Sequence, residues 1–295
     1  MLAMRATHIS YREPLLSPSL VPIRKISRIE RRHRLAHLRN RIVAPRAASG
    51  PDAAEATPDD SQSTEFSVPF WTGQAPHFLG VVALAASALA LARSGDALSA
   101  ERLLEPLIGT SGCDWFRLGL LIPILHQMMV VISWRVQLNY KSLTRAFGKQ
   151  GGQVVFFTCF TAFAVARFVV TVTASIRTSG VLWKQGAAAY AAAAVVAVPF
   201  VYVLHSVFKY LGFQRLAGVD HFDPEYYRKQ DVVNEGAFKH LKNPIYTLGV
   251  LGLLIPGIAT GSLEGIALGL YQYLALWVLY FSIERVDMAA IYKNT

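Results

Sequence analysis

Apolar residues along this chain are gathered into long blocks separated by short polar stretches, with no period-two alternation of the kind that marks half-buried strands. Six blocks stand out, at 77–93, 115–133, 153–175, 186–208, 246–260 and 266–283. Each approaches the roughly 20 residues an α-helix needs to cross a bilayer. The pattern predicts an all-α integral-membrane bundle of about six spans, its last two paired as a hairpin around Gly261–Gly265. The fifth block is the shortest and carries Pro256 and Gly257, so it is expected to be tilted, kinked or re-entrant. The Ala-rich opening of the fourth suits close helix packing. Between the first two blocks, 96–108 alternates charge and Leu at helical spacing, as expected of a helix lying in the interface.

Composition agrees with lipid as the solvent. The 295 residues are 53% hydrophobic and only 16% charged, with mean hydropathy +0.34, whereas a soluble domain carries about 25% charge. The formal charge of +10 is unevenly placed. Residues 1–50 hold ten Arg and one Lys against Glu13 and Glu30, and the remainder of the chain is close to neutral. A nucleic-acid partner would call for a basic folded face, so none is expected. The arm at 1–50 lacks an apolar core and contains scattered Ser with Pro14, Pro18 and Pro22. It reads as an organelle transit peptide, with 42–49 similar to the end of a green-algal plastid transit peptide; the alternative is a basic arm on a membrane surface. Residues 51–65 are acidic and read as a solvated linker, and 66–76, with Phe70 and Trp71, as an interfacial approach to the first helix. The expected organisation is therefore 1–50 targeting arm, 51–76 linker and approach, 77–208 four-span region and 209–295 catalytic region. Cys113 and Cys159 provide neither a disulfide framework nor a metal cluster, and no metal is expected.

Loop charge tests the span count. Loop 134–150 carries Arg135, Lys141, Arg145 and Lys149, and loop 209–243 carries six Lys or Arg, while the alternate loops are poor in both. Six crossings place the two basic loops on one face, which the positive-inside rule assigns to the cytosol, or to the stroma in a plastid envelope. The same arithmetic returns the chain at Glu284 to the face it left at Tyr246, so Lys242, Tyr246 and Glu284 are expected to share a site.

Pro244 suits the first turn of a helix, whose free N–H groups would seat a carboxylate, and Glu284 would pair with an ammonium. A ligand carrying both groups, such as the amino-acid end of S-adenosylmethionine, fits between them; the plain alternative is a helix start beside an interfacial ion pair. Gly218-Val219-Asp220-His221-Phe222 offers Asp220 and His221 as candidate bases for an amine substrate, against the alternative of a capped turn before Pro224. His126, Arg135 and Arg167 form a further candidate group, and His126 and Arg167 fall inside spans, where ionisable groups are costly; inter-helix hydrogen bonding, or for Arg167 contact with a lipid headgroup, is the favoured reading, and His205 reads likewise. There is no Gly-x-Gly-x-x-Gly and no phosphate loop, and no βαβ pattern to host a Rossmann methyltransferase.

Residues from about 208 to 294 resemble the membrane phospholipid N-methyltransferases and their relatives, the isoprenylcysteine carboxyl methyltransferases. The resemblance is carried by Gly236 with Phe238, by Asn243-Pro244-Ile245-Tyr246 with Gly249, and by Glu284-Arg285-Val286-Asp287-Met288 closing on Ile291-Tyr292. Lys242-Asn243 before the Pro is nearer the phospholipid branch than the Arg-His of the isoprenylcysteine branch, and Gly218–Phe222 is similar to a Gly-Asp-Tyr-Phe stretch of small phospholipid methyltransferases. The resemblance implies S-adenosylmethionine as cofactor, held by Asn243, Tyr246 and Glu284; Lys242, Pro244, Gly249 and Arg285 are expected to complete the cofactor site, with Asp220, His221 and Glu284 in catalytic roles. Arg285 stands where the family often has a second Glu. The implied reaction is N-methylation of phosphatidylethanolamine or a partly methylated derivative, with the lipid acceptor entering from the bilayer. The rivals are O-methylation of a prenylated cysteine or quinone-like acceptor, a haem-dependent polyene isomerase using His126 or His205 (125–148 weakly resembles such a family), and a non-catalytic membrane protein.

Overall fold

A computed structural model describes residues 66–94, 112–230 and 232–292. The expected targeting arm, the acidic stretch to residue 65 and the interfacial helix at 96–108 lie outside the described residues, whose regular elements are all helices, with no strand among them. Four long helices come first: α1 Gln74–Arg93, α2 Gly112–Tyr140, α3 Ser142–Arg177 and α4 Ala187–Ser206, the last extended by a π turn at Val207–Leu211. A run of short elements follows, including α5 Phe213–Leu216 and α6 Pro224–Arg228. The chain then re-enters through α7 Pro244–Thr247, a 3₁₀ stretch Gly249–Leu254 and α8 Ile255–Thr260. It returns through α9 Leu263–Leu279, a π turn Tyr280–Glu284 and α10 Arg285–Ile291.

Among the described residues, five segments, 74–93, 114–140, 142–177, 187–211 and 263–291, are long and apolar enough to cross a membrane, and the sixth, Pro244–Thr260, is shorter. Its broken form compensates in part. A 3₁₀ helix rises about 2.0 Å per residue against 1.5 Å in an α-helix, so the segment reaches roughly 27 Å, close to a ~30 Å hydrocarbon layer. Gly257 lies against Gly265 across the hairpin: a Cβ on Gly257 would meet the Ile266 backbone nitrogen at 2.5 Å. Only small residues permit that approach of two backbones. Ser262 starts α9 by accepting from the Gly265 N–H at 2.9 Å.

Ion pairs and hydrogen bonds between helix ends fix the topology. On one face, Lys149 pairs with Asp223 at 2.6 Å and Ser206 accepts from the Ala237 N–H at 3.0 Å. On the opposite face, the Gly180 and Leu182 N–H groups donate to the Thr260 and Gly261 carbonyls, both at 2.9 Å. The basic loops after α2 and α4 therefore share a face, as their charge predicts. The loop expected at 134–150 is instead mostly helix. α2 runs on to Tyr140, Lys141 makes the turn with φ 50°, and α3 starts at once, interrupted only at Gly148 (φ 71°, ψ 167°). Arg135 is consequently not a solvated loop charge but fully buried.

The two larger apolar clusters among the described residues hold the bundle. One packs Val81, Ala88 and Ala92 of α1 against Ala267, Leu268, Tyr271 and Ala275 of α9, with Phe116 and Ala174. The other, at the basic face, joins Val130, Val131 and Trp134 of α2 to Phe156, Ala217, Val219, Phe222, Leu279 and Ile283. This second cluster is the floor on which the polar loops rest.

Candidate active site

The loop from α4 to α7 folds back over the bundle end because two glycines let it. Gly218 has φ 86°, and a Cβ there would sit 2.6 Å from the Trp134 indole; Trp134 in turn donates from Nε1 to the Ala217 carbonyl at 3.2 Å. Gly236, φ 57°, lies so close to Ser206 Oγ that a Cβ would approach it to 2.6 Å. Together they lay 218–221 and 236–246 beside the end of α9.

Between these strips opens a cavity of about 300 Å³, its polar lining supplied by Arg215, Asp220, Lys242, Asn243, Tyr246, Glu284 and Tyr292. Pro244 begins α7, and one turn places the Tyr246 hydroxyl on Glu284, to which it donates a hydrogen bond. The π turn before α10 inserts one residue into the helix. It lets Glu284 face the cavity while Asp287 faces inward to Arg135, at 2.9 Å, and His221, at 3.2 Å. Arg135 also donates to the Pro69 and Thr72 carbonyls at 2.8 and 3.1 Å. The segment before α1 is pinned again by Asn139, whose side chain exchanges hydrogen bonds with both the N–H and the carbonyl of Val68. The sequence reading of this segment as an interfacial approach missed that clasp, whose only signal was a run of polar residues in the last turns of α2.

Asp220 is buried (6% exposed) and receives the Tyr292 hydroxyl on Oδ2 at 2.6 Å, while Oδ1 has no protein partner. Burial raises its pKa above the ordinary carboxylate value, and the Tyr292 hydrogen bond and the Arg215 charge only partly offset this. Burial, with Asp220 as neighbour, also pushes the Tyr292 phenol up, so that it remains a donor.

The residues singled out in the sequence do not all meet. Asp220, Lys242, Asn243, Pro244, Tyr246 and Glu284 line the one cavity. His221 lies behind it, stacked on Trp134 with centroids 4.5 Å apart, its ring nitrogens engaged by the Gly218 carbonyl and the Asp287 carboxylate. Arg285 is exposed and lies over the Phe281 ring, and Gly249 lines a second, deeper cavity of about 400 Å³. Trp134, Leu216, Ile245 and Tyr246 border both cavities. Arg215, Tyr292 and Trp134 were not picked out by sequence reasoning as cavity residues. Tyr292 was legible only as part of the closing motif, and Trp134 reads as one more aromatic in an apolar run.

His126 and Arg167 do make the inter-helix hydrogen bonds expected of them. Arg167 Nε donates to Gln272 Oε1 at 2.9 Å, and its Nη1 faces His126 Nδ1 at 3.5 Å. A haem-ligating His normally donates its other ring N–H to an acceptor; here that position faces a guanidinium. His205 is exposed on the outer surface of α4. Among the described residues, no three His, Cys, Asp or Glu side chains group as a metal site.

No curated protein and no solved structure matches the chain. The phospholipid methyltransferase family model matches residues 188–295, from the start of α4 through the closing tyrosine and so across both strips that line the cavity. The C-terminal region of this integral-membrane protein is thus similar to the phospholipid methyltransferases.

Proposed function

We propose that the cavity at the basic face binds S-adenosylmethionine and that the chain N-methylates phosphatidylethanolamine or a partly methylated derivative. The observation that carries this is the mixed-sign lining of one small cavity: Lys242 and Arg215 beside Glu284 and a buried Asp220 with one unpartnered oxygen. A buried carboxylate oxygen without a donor costs stability unless a ligand supplies one, and an amino-acid zwitterion supplies both an ammonium and a carboxylate to such a lining. When bound, the cofactor supplies a methyl group on a positively charged sulfur, open to attack by a neutral amine.

The protein's own residues account for the rest. Glu284, held by the Tyr246 hydroxyl, and Lys242 fix the two ends of the zwitterion. Asp220 Oδ1 accepts the proton that the acceptor ammonium must lose before its nitrogen is nucleophilic. Its raised pKa suits it to that exchange. The shared wall of Trp134, Ile245 and Tyr246 excludes water and sets the amine in line, which is where most of the rate arises.

Binding of S-adenosylmethionine to the detergent-purified full chain, beside Glu284→Ala and Tyr246→Ala, tests the cofactor reading. The wild type should bind and each variant lose about tenfold, equivalent to about 1.4 kcal/mol. No binding by the wild type overturns it. Methyl transfer to the ethanolamine nitrogen is the expected product in vesicles; a base-labile methyl ester instead would overturn the acceptor assignment.

A further inference from the structure

Apart from Trp134 and Tyr246 on the wall it shares with the first cavity, the deeper cavity is lined by apolar residues and, at its floor, by His126, Gln127 and Arg167. All three are at least nine-tenths buried, at 4%, 2% and 6% exposed. Each keeps polar atoms that nothing in the protein satisfies: Arg167 Nη2, His126 Nε2, and both Nε2 and Oε1 of Gln127. Four orphaned polar atoms on three residues that line one cavity, carried by two membrane spans, are costly.

Their chemistry has a definite sense. Arg167 can only donate, so His126 Nδ1, which faces it, is the acceptor and the ring proton sits on Nε2. The floor therefore offers donors from Arg167, His126 and the Gln127 amide, with a positive charge among them. That set fits an oxygen acceptor.

Position narrows the choice. His126 lies eight residues before Trp134 on α2, so the floor is about 12 Å below the wall shared with the cofactor cavity. α3 and α4 share no substantial packing, and Phe168 and Leu204, which face the cavity from these two helices, are 52% and 37% exposed. A lipid can thus reach the cavity sideways from the bilayer. In a glycerophospholipid whose amine is at the shared wall, the phosphate sits directly behind the ethanolamine, whereas the ester carbonyls lie beyond the glycerol, nearer the floor.

We propose that His126, Gln127 and Arg167 bind an acceptor oxygen of the lipid substrate, the ester carbonyl by depth, and so select diacyl glycerolipids. These residues lie outside the family-matched segment. The inference rests on the methyltransferase reading for the lipid's orientation but not for its test.

Retention of lipid by the full chain is measured by native mass spectrometry, with diacyl phosphatidylethanolamine and its dialkyl ether analogue of equal chain length, for wild type, Arg167→Gln and Gln127→Leu. The wild type should retain the diacyl lipid several-fold better, and both variants should lose that preference. If the wild type holds both lipids equally and the variants lose both, the bound oxygen is the phosphate, and the selection of diacyl lipids is overturned. Wild-type retention of both lipids in both variants overturns it. Arg167→Gln removes a bond to Gln272 and can unsettle the fold. Gln127→Leu removes only an unpartnered amide and should not lower the unfolding temperature. Loss of S-adenosylmethionine binding with lipid preference intact would sink the proposed reaction and leave this site standing.

Discussion

Asp220 shows how one residue acquires a chemistry that its type alone does not announce. In the sequence it precedes a short turn and a proline and could as well be a cap. In the fold it is buried beside the cavity, receives one hydrogen bond from Tyr292 on Oδ2, and has no protein partner on Oδ1. Burial disfavours its charged form and raises the pH at which it takes up a proton. The sign of the consequence follows directly: as pH falls, Asp220 protonates earlier than an ordinary carboxylate and can no longer accept a proton. Methyl transfer should therefore decline on an acid limb whose midpoint lies above the ordinary value of about 3.9. Asp220→Asn should abolish that limb and lower kcat by about 10²-fold or more, with cofactor affinity little changed. A pH–rate profile of both proteins with saturating cofactor measures this, and an unaltered limb in the variant would assign it to another group.

At the scale of elements, the π turn at Tyr280–Glu284 separates two tasks on one helix. The single inserted residue allows Glu284 to face the cavity and Asp287, three positions on, to face the buried Arg135 and His221. Deleting Phe281, which is exposed on the outer surface, should restore regular helix and rotate Glu284 by about 100°. Cofactor binding is then expected to fall more than tenfold while helix content by circular dichroism is unchanged. Retained binding would show that the bulge is not what aims Glu284. The 3₁₀ stretch at Gly249–Leu254 plays a comparable part in the re-entering leg, lengthening a segment too short to cross as an α-helix. Both irregular turns border a cavity, where broken helix is tolerated in a membrane because protein or ligand can meet the freed backbone groups.

The whole molecule is a bundle with one polar end. The loops after α2 and α4 meet the start of α1 and the end of α9 there, and the opposite face is closed by the short contacts of 178–183 with 260–262. Single cysteines replacing Lys184 and Lys229, both exposed, in a background with Cys113 and Cys159 changed to Ser, should label from opposite sides of sealed vesicles. Labelling from the same side would break the six-crossing topology. Much of this arrangement was determined by the sequence alone. Block length and low charge fixed lipid as the solvent, loop charge fixed which ends lie together, and the motifs at 243–246 and 284–292 located the polar cavity. These are local or additive properties, readable without knowing which residues touch. Tertiary structure decided what depends on a partner distant in the chain. It turned Arg135 from a loop cation into the buried counterion of Asp287 and set His221 behind Trp134 rather than in the cavity. It also brought Trp134, Arg215 and Tyr292 to the cavity wall. In an apolar medium a polar group is costly until something meets it, and which group meets which is fixed only when the helices pack.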